Sequence, residues 1–238
     1  MRVVVLTTGG DYGAAVVEGL GERGVAIEAV VLDLFRPRLR VAIRRPRRIV
    51  GPARRWLGAR RLRRSAPLHV VGNQNDRRSI ELLRSLRPDV LVLAGARILS
   101  DAVLAVPTIG ALNAHPAHLP GPRGTGVVGR SILGGLPVTV TVHFAAPALD
   151  AGDVVERRLV PVEPGDALGD IQRRADMLCA AALADVVARA ARGEELSREP
   201  QPAPGELGGW LDADERARAE ELIARGDVLR RYEDAGHE

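Results

Sequence analysis

Short, β-branched apolar runs constrain this chain more than any other feature. Arg2–Thr7, Ala26–Leu32, Leu68–Val71, Val90–Ala94 and Ile109–His115 are four to seven residues long and rich in Val, Ile and Leu. That is long enough for a strand and too short for a core helix. Near-continuous apolar runs suit parallel strands covered on both faces. The stretches from Asp11 to about Arg23 and over Arg77–Leu86 read as helices between them, and the Asn-rich polar turn Gly72-Asn73-Gln74-Asn75-Asp76 can cap the second. The expected fold is α/β: an open, Rossmann-like, mostly parallel sheet with helices on both faces. Ligands of such sheets sit beyond the C-terminal ends of the strands. Farther on, Val138–Phe144 and Val154–Val160 read as strands, Val127–Leu133 as a short helix and Leu168–Ala191 as a long one that Asp166 can cap.

The chemistry concentrates between Gly110 and Asp153. An apolar run there ends in Asn113-Ala114-His115-Pro116, and a Gly- and Pro-rich loop follows. Residues two apart in a strand point to one side, so Asn113 and His115 can face one pocket. The turn Leu149-Asp150-Ala151-Gly152-Asp153 comes where the strand ending at Phe144 would stop, and a loop there can return a carboxylate to the same pocket. Asp153 is eligible as well on distance alone. An amide, an imidazole and a carboxylate suit acyl transfer. Alone, each residue has a structural reading: a turn former, a satisfied histidine, a turn acid.

The stretch resembles the folate-dependent formyltransferases. It has their N-x-H-P element at Asn113–Pro116, Leu119-Pro120, Arg123-Gly124, Thr141-Val142-His143, and the L-D-x-G turn at Leu149–Gly152. Agreement of several separated elements is more specific than one short motif. The resemblance covers roughly residues 66–165 well, and it implies a three-layer sandwich of the formyltransferase type. It also implies a formyl group moved from 10-formyltetrahydrofolate to a primary amine, without a metal. The implied catalytic residues are Asn113 and His115 holding the oxyanion of a tetrahedral intermediate, and Asp150 accepting the proton, the pattern selecting Asp150 over Asp153. Folate-side residues would be Arg97, Ile98 and Leu99 through backbone groups, with His143, Leu149, Ala151 and Gly152. Acceptor-side residues would be the turn Thr8, Gly9, Gly10, Asp11 and Tyr12, with Arg123 and Gly124.

Departures from the family's members narrow the acceptor. Methionyl-tRNA formyltransferases append a C-terminal barrel that 238 residues would not hold. Glycinamide-ribotide formyltransferases carry a G-x-G-S-N phosphate turn after the first strand. Here Thr8–Tyr12 lacks the Ser-Asn, and Asp11 would repel a phosphate. The expectation is a small amine, such as an amino sugar on a nucleotide, with those two activities as alternatives. Asp11 also breaks the dinucleotide glycine fingerprint, which opposes a redox enzyme. Without those glycines, Asp33 at the end of the second strand is expected to be a solvated loop acid.

Every basic residue is arginine, which rules out lysine Schiff-base or phosphate-loop chemistry. Thirteen arginines and no acid fall between Arg36 and Arg64, so a chain of net charge +4 carries −9 elsewhere. That segment, an insertion over about 36–65, is a candidate patch for a polyanion such as tRNA, a nucleotide-linked sugar or acidic lipid, or simply a solvated face. A catalytically inactive module that binds RNA or membrane through it is the rival reading. A helix is expected over Ala53–Arg64, with Trp56, Leu57 and Leu62 as its apolar stripe. The single cysteine, Cys179, sits in an Ala-rich helix and reads as a core thiol. No run is long enough to span a membrane, and a cytoplasmic protein is expected. Residues 1–198 read as the catalytic domain, and 199–238 as a Pro/Gly-rich linker and a charged helix, Ala213–Arg225, or tail.

Overall fold

The computed structural model describes residues 1–34, 62–63, 65–203 and 205–230. Nearly all of the arginine-rich stretch, including Trp56, Leu57 and most of the expected helix, lies outside the described residues, as do the last eight residues; Leu62, toward the end of that helix, is described and buried. The chain divides into two compact units. The first is Met1–Leu112 with Val187–Glu195, and the second is Asn113–Val186 with Leu196–Glu238.

In the first unit, β1 (Val3–Thr7) pairs in parallel with both β2 (Ile27–Asp33) and β4 (Val90–Ala94), and β2 pairs in parallel with β3 (Leu68–Val71). All residues of β1 and β4 are buried, as expected of parallel strands covered on both faces. The helices are α1 (Asp11–Glu22), α2 (Arg77–Leu86) and a single turn, α3 (Asp101–Leu104). Asp76 caps α2 by accepting from the Ser79 N–H at 2.7 Å. β5 (Gly110–His115) carries the chain into the second unit. The strand order of the sheet is β3-β2-β1-β4-β5-β7-β8, mostly parallel, as expected from the sequence.

Asp33 differs from its sequence reading. It is fully buried, and its carboxylate takes the Arg97 guanidinium through two bonds, Nε–Oδ2 at 2.5 Å and Nη2–Oδ1 at 2.8 Å. The Gln74 N–H adds a third at 3.0 Å. Arg97 lies 64 positions away, and no local pattern could reveal that partner. Truncating it by Arg97→Leu leaves a buried carboxylate with one N–H. The expected loss is about 3 kcal/mol of unfolding free energy in urea, the lower end for breaking a buried pair because Arg97 lies at the surface edge. A loss under about 1 kcal/mol contradicts this.

The second unit holds β6 (Arg123–Gly124), α4 (Val127–Leu133), β7 (Thr139–Phe144), β8 (Val154–Leu159), most of α5 (Leu168–Ala191), β9 (Leu207–Gly208) and α6 (Ala213–Ala224). β7 and β8 form an antiparallel hairpin whose register shifts between Val142 and His143. Asp166 does not cap α5. Its carboxylate accepts from the Glu163 N–H and pairs with Arg174, while Asp170 takes the Ala167 N–H at the helix start. Cys179 is buried in α5, and burial pushes its thiol pKa up, in keeping with a core thiol. The Pro/Gly-rich stretch after Glu199 is structured: β9 within it pairs in parallel with β6. A capping box of Asp212 and Glu215 opens α6, which packs on α4.

Candidate active site

β7 is a strand with two buried faces of opposite character. Val140, Val142 and Phe144 make one, and Thr139, Thr141 and His143 the other. Buried polar groups need partners, and Thr141 finds its own in the chain that follows β5. Thr141 Oγ1 donates to the Ala117 carbonyl at 2.6 Å and accepts from the Leu119 N–H at 3.2 Å. The loop after His115 is thereby held to β7.

His143 is expected on the folate side. Its ring is buried, and both nitrogens are engaged. Nδ1 lies 2.8 Å from the Phe144 carbonyl and must donate to it, so in the neutral ring Nε2 is an acceptor. The Asn113 Nδ2 donates to that nitrogen at 3.2 Å. This contact settles which way the amide points and leaves one Nδ2 proton for another acceptor. His115, on the same side of β5 as Asn113, places Nε2 3.2 Å from the Pro122 carbonyl and Nδ1 3.5 Å from Asp150 Oδ2. Asp150 Oδ1 is 3.7 Å from His143 Nε2, and Oδ2 accepts from the Gly124 N–H at 3.4 Å. Asn113, His115, His143 and Asp150 therefore converge within the second unit. Asp153, the other eligible acid, lies 3.8 Å from Arg198.

The turn carrying Asp150 is tightly specified. Asp150 itself has φ +52°, a left-handed conformation that Asp tolerates better than most residues. At Gly152 an added Cβ would lie 2.0 Å from the Phe144 carbonyl oxygen, so the turn can fold back on the end of β7 only with glycine there. Arg123 reaches the turn from β6, with Nη1 on the Leu149 carbonyl at 2.8 Å and Nε on the Gly205 carbonyl at 2.8 Å. The Ala151 N–H bonds the Ala148 carbonyl at 3.4 Å.

Burial sets the electrostatics. It holds the His115 pKa below the ordinary 6.5, against the opposing pull of the Asp150 carboxylate and the Pro122 carbonyl. Burial also lowers that of His143, opposed by the Phe144 carbonyl and Asp150 and helped by His115. Both rings are neutral above about pH 6.5. The unfolded chain takes up these protons near pH 6.5 and the folded chain only at lower pH. The unfolded state therefore binds more protons between those values, and stability falls as pH drops through that window. Urea unfolding at pH 5.5 should give a smaller free energy than at pH 7.5; an equal or larger value contradicts this.

The remaining expected residues lie in the first unit. Thr8 Oγ1 donates to the Gly95 carbonyl at 2.7 Å, and the Gly9 N–H bonds Thr7 Oγ1 at 2.9 Å. Gly10 precedes α1 with φ +90°, and Asp11 and Tyr12 form its first turn. The Arg97 side chain is committed to Asp33, Ile98 is exposed and Leu99 is buried. The Asn75 amide clips this loop, donating to the Ile98 carbonyl and accepting from the Ser100 N–H, each at 2.9 Å. Sequence reasoning missed Asn75 and the hold of His143 on Asn113; the Asn-rich turn and the T-V-H element were the available signals.

The formyl transferase family model matches residues 1–187. Methionyl-tRNA formyltransferase from Chloroflexus aggregans is 33% identical over 203 residues, 84% of this chain and 62% of that protein. Its counterpart from Moorella thermoacetica is 31% identical over 176 residues, 73% and 54% of the two chains. The chain thus spans about half to three-fifths of the length of these relatives. Among solved structures, a sugar N-formyltransferase from Shewanella sp FDAARGOS_354 superposes with a TM-score of 0.63 at 16% identity, covering 94% of this chain and 87% of that one. Glycinamide ribonucleotide transformylase 1 from Symbiobacterium toebii gives 0.60 at 22% identity, covering 84% and 94%. The formyltransferase PseJ from Anoxybacillus kamchatkensis, in complex with UDP-4,6-dideoxy-4-formamido-L-AltNAc and tetrahydrofolate, gives 0.57 at 17% identity, covering 94% and 99%. At these identities the structures establish a shared fold, and the family model, which matches most of the chain, establishes descent: this protein belongs to the formyl transferase family.

Proposed function

We propose that the chain transfers a formyl group from 10-formyltetrahydrofolate to a primary amine of a small acceptor, such as an amino sugar on a nucleotide. The observation that carries this reading is the convergence of Asn113, His115 and Asp150, with His143 behind them, in a chain of this family. An inactive binding module has no need of that set.

The folate donor supplies the carbonyl to be attacked. The second Nδ2 proton of Asn113 is available to the formyl oxygen as negative charge develops there, and His143 keeps the amide oriented for it. Asp150 takes the proton lost by the attacking amine, directly or through water. His115, expected to hold the oxyanion beside Asn113, is given another part in this reading: neutral and with Nε2–H held by the Pro122 carbonyl, it presents its Nδ1 lone pair toward Asp150. A proton arriving on Asp150 can be shared with that nitrogen, and both N–H groups of the resulting imidazolium then have acceptors. The proton is then returned to the departing folate nitrogen. Arg97–Leu99 and Thr8–Tyr12 stay expectations of the resemblance. Within the second unit, the turn Leu149–Gly152 would hold the folate, and Arg123 and Gly124 belong to the acceptor side. Arg123 would act there by bracing the loop, since its guanidinium bonds two carbonyls.

A place for a small acceptor would lie beside this set, against Pro116 and Gly124, although none of Asn113, His115, His143 and Asp150 lines it. A cavity of about 450 Å³ in the second unit is bordered by Pro116, Gly124, Gln172, Asp176 and Trp210, a size suited to small molecules. Gln172 and Asp176 offer oxygens to an ammonium group. The test is formyl transfer from 10-formyltetrahydrofolate to a panel of amino sugar nucleotides, glycinamide ribotide and methionyl-tRNA, read as the formyl mass increment. A formylated amino sugar nucleotide is the expected result. Formylation of methionyl-tRNA alone removes the small acceptor from the proposal, and no transfer to any amine removes the activity.

A further inference from the structure

The segment that follows the family-matched residues reaches back to the acid of the site. Gln201 Nε2 donates to two carbonyls of the Asp150 turn, Asp150 O at 3.1 Å and Gly152 O at 2.7 Å. One amide nitrogen thus spans the residue with positive φ and the glycine that lets the turn close. The orientation is fixed by charge: turning the amide over would set its oxygen against two carbonyl oxygens. The price is a buried Oε1 with no partner among the described residues.

The segment is anchored on both sides of Gln201. Two residues before it, Glu199 exchanges both backbone hydrogen bonds with Val154 at the start of β8, and its carboxylate takes the Arg157 guanidinium at 2.8 and 2.9 Å. Arg198 lies 3.6 Å from the centre of the Phe144 ring. Four residues after Gln201, the Gly205 carbonyl holds Arg123, which also holds Leu149. A Cβ at Gly205 would lie 1.9 Å from the Pro120 carbonyl oxygen. β9 then pairs with β6, whose Gly124 N–H bonds the Asp150 carboxylate. The turn is thus gripped at Leu149, Asp150 and Gly152, and two of these grips come from Gln201.

We propose that Gln201 is a positioning residue for Asp150, and that residues 199–203 and 205–209 act as a strap setting the aim of its carboxylate. The proposal rests on Asp150 being the proton acceptor. A misplacement of about an ångström can cost a hundredfold in rate.

The experiment uses the full chain carrying Gln201→Met, which keeps the volume and removes both donors, and Gln201→Glu, which keeps the shape with acceptors only. Hydrogen exchange of the peptide spanning Leu149–Asp153, the thermal midpoint, and kcat and KM for both substrates are measured. Exchange in that peptide should quicken at least tenfold in both variants, with other peptides unchanged. The kcat should fall about ten- to a hundredfold, with the KM for the acceptor within about twofold. Unchanged exchange there overturns the positioning role whatever the activity does. Quickened exchange with unchanged kcat overturns its bearing on catalysis. An equal quickening throughout the chain, with a lowered midpoint, identifies Gln201 as a general structural residue and overturns the proposal too. Should Asp150→Asn retain transfer, the functional reading fails instead, and the exchange result stands by itself.

Discussion

Asp150→Asn is expected to reduce kcat for the proposed formyl transfer by about a thousandfold, within the usual contribution of a positioned general base, while the fold is kept. Asn has nearly the shape of Asp and tolerates the left-handed backbone that φ +52° demands, so the turn stays closed. Gln201 and Arg123 hold backbone carbonyls of the turn and are untouched by the exchange. What is lost is the charge and the basic oxygen beside His115 Nδ1 and the Gly124 N–H. Single-turnover transfer at saturating donor and acceptor measures the loss, and a circular-dichroism melt checks the fold. Activity within tenfold of the parent, with the melt unchanged, means that Asp150 is not the proton acceptor. Asp150→Ala is the poorer test, because it adds backbone strain at the same position.

Asn113→Ala has a second signature besides activity. Losing one donor to a developing oxyanion typically costs about a hundred- to a thousandfold in kcat, or about 2.7–4 kcal/mol. The same truncation strips the donor from His143 Nε2. That nitrogen is buried, and an unsatisfied buried acceptor costs about 1–3 kcal/mol of stability. Both losses should appear together in Asn113→Ala. Adding His143→Leu to that variant removes the stranded nitrogen and should restore part of the stability with none of the rate. Recovery of activity alongside stability would falsify the oxyanion role and leave Asn113 as a partner of His143 only.

Much of this was legible in the residues. The apolar runs marked β1 to β5 because a strand covered on both faces has no room for polar residues. Asn113 and His115 could be placed on one side because strand periodicity is two. Asp76 could be read as a cap because capping is local. The family pattern brought Asp150 in ahead of Asp153. Other features were illegible for a common reason. Asp33 looks solvated until Arg97 is found 64 positions later. Leu207–Gly208 looks like linker because a two-residue strand has no periodicity, and only pairing with Arg123–Gly124 makes it one.

The sequence by itself determined the α/β class, the order of most elements and the placing of Asn113 and His115 on one face of a strand, since these follow from local pattern and spacing. The choice of Asp150 as the acid came from the family resemblance. Only the tertiary structure decided their working state. Burial keeps His115 and His143 neutral, the Phe144 carbonyl fixes the tautomer that orients Asn113, and Gln201 grips the Asp150 turn from 51 positions away. Burial and most of these hydrogen bonds depend on which groups meet across the fold, and no short stretch of sequence holds both Asn113 and His143, or both Gln201 and Asp150.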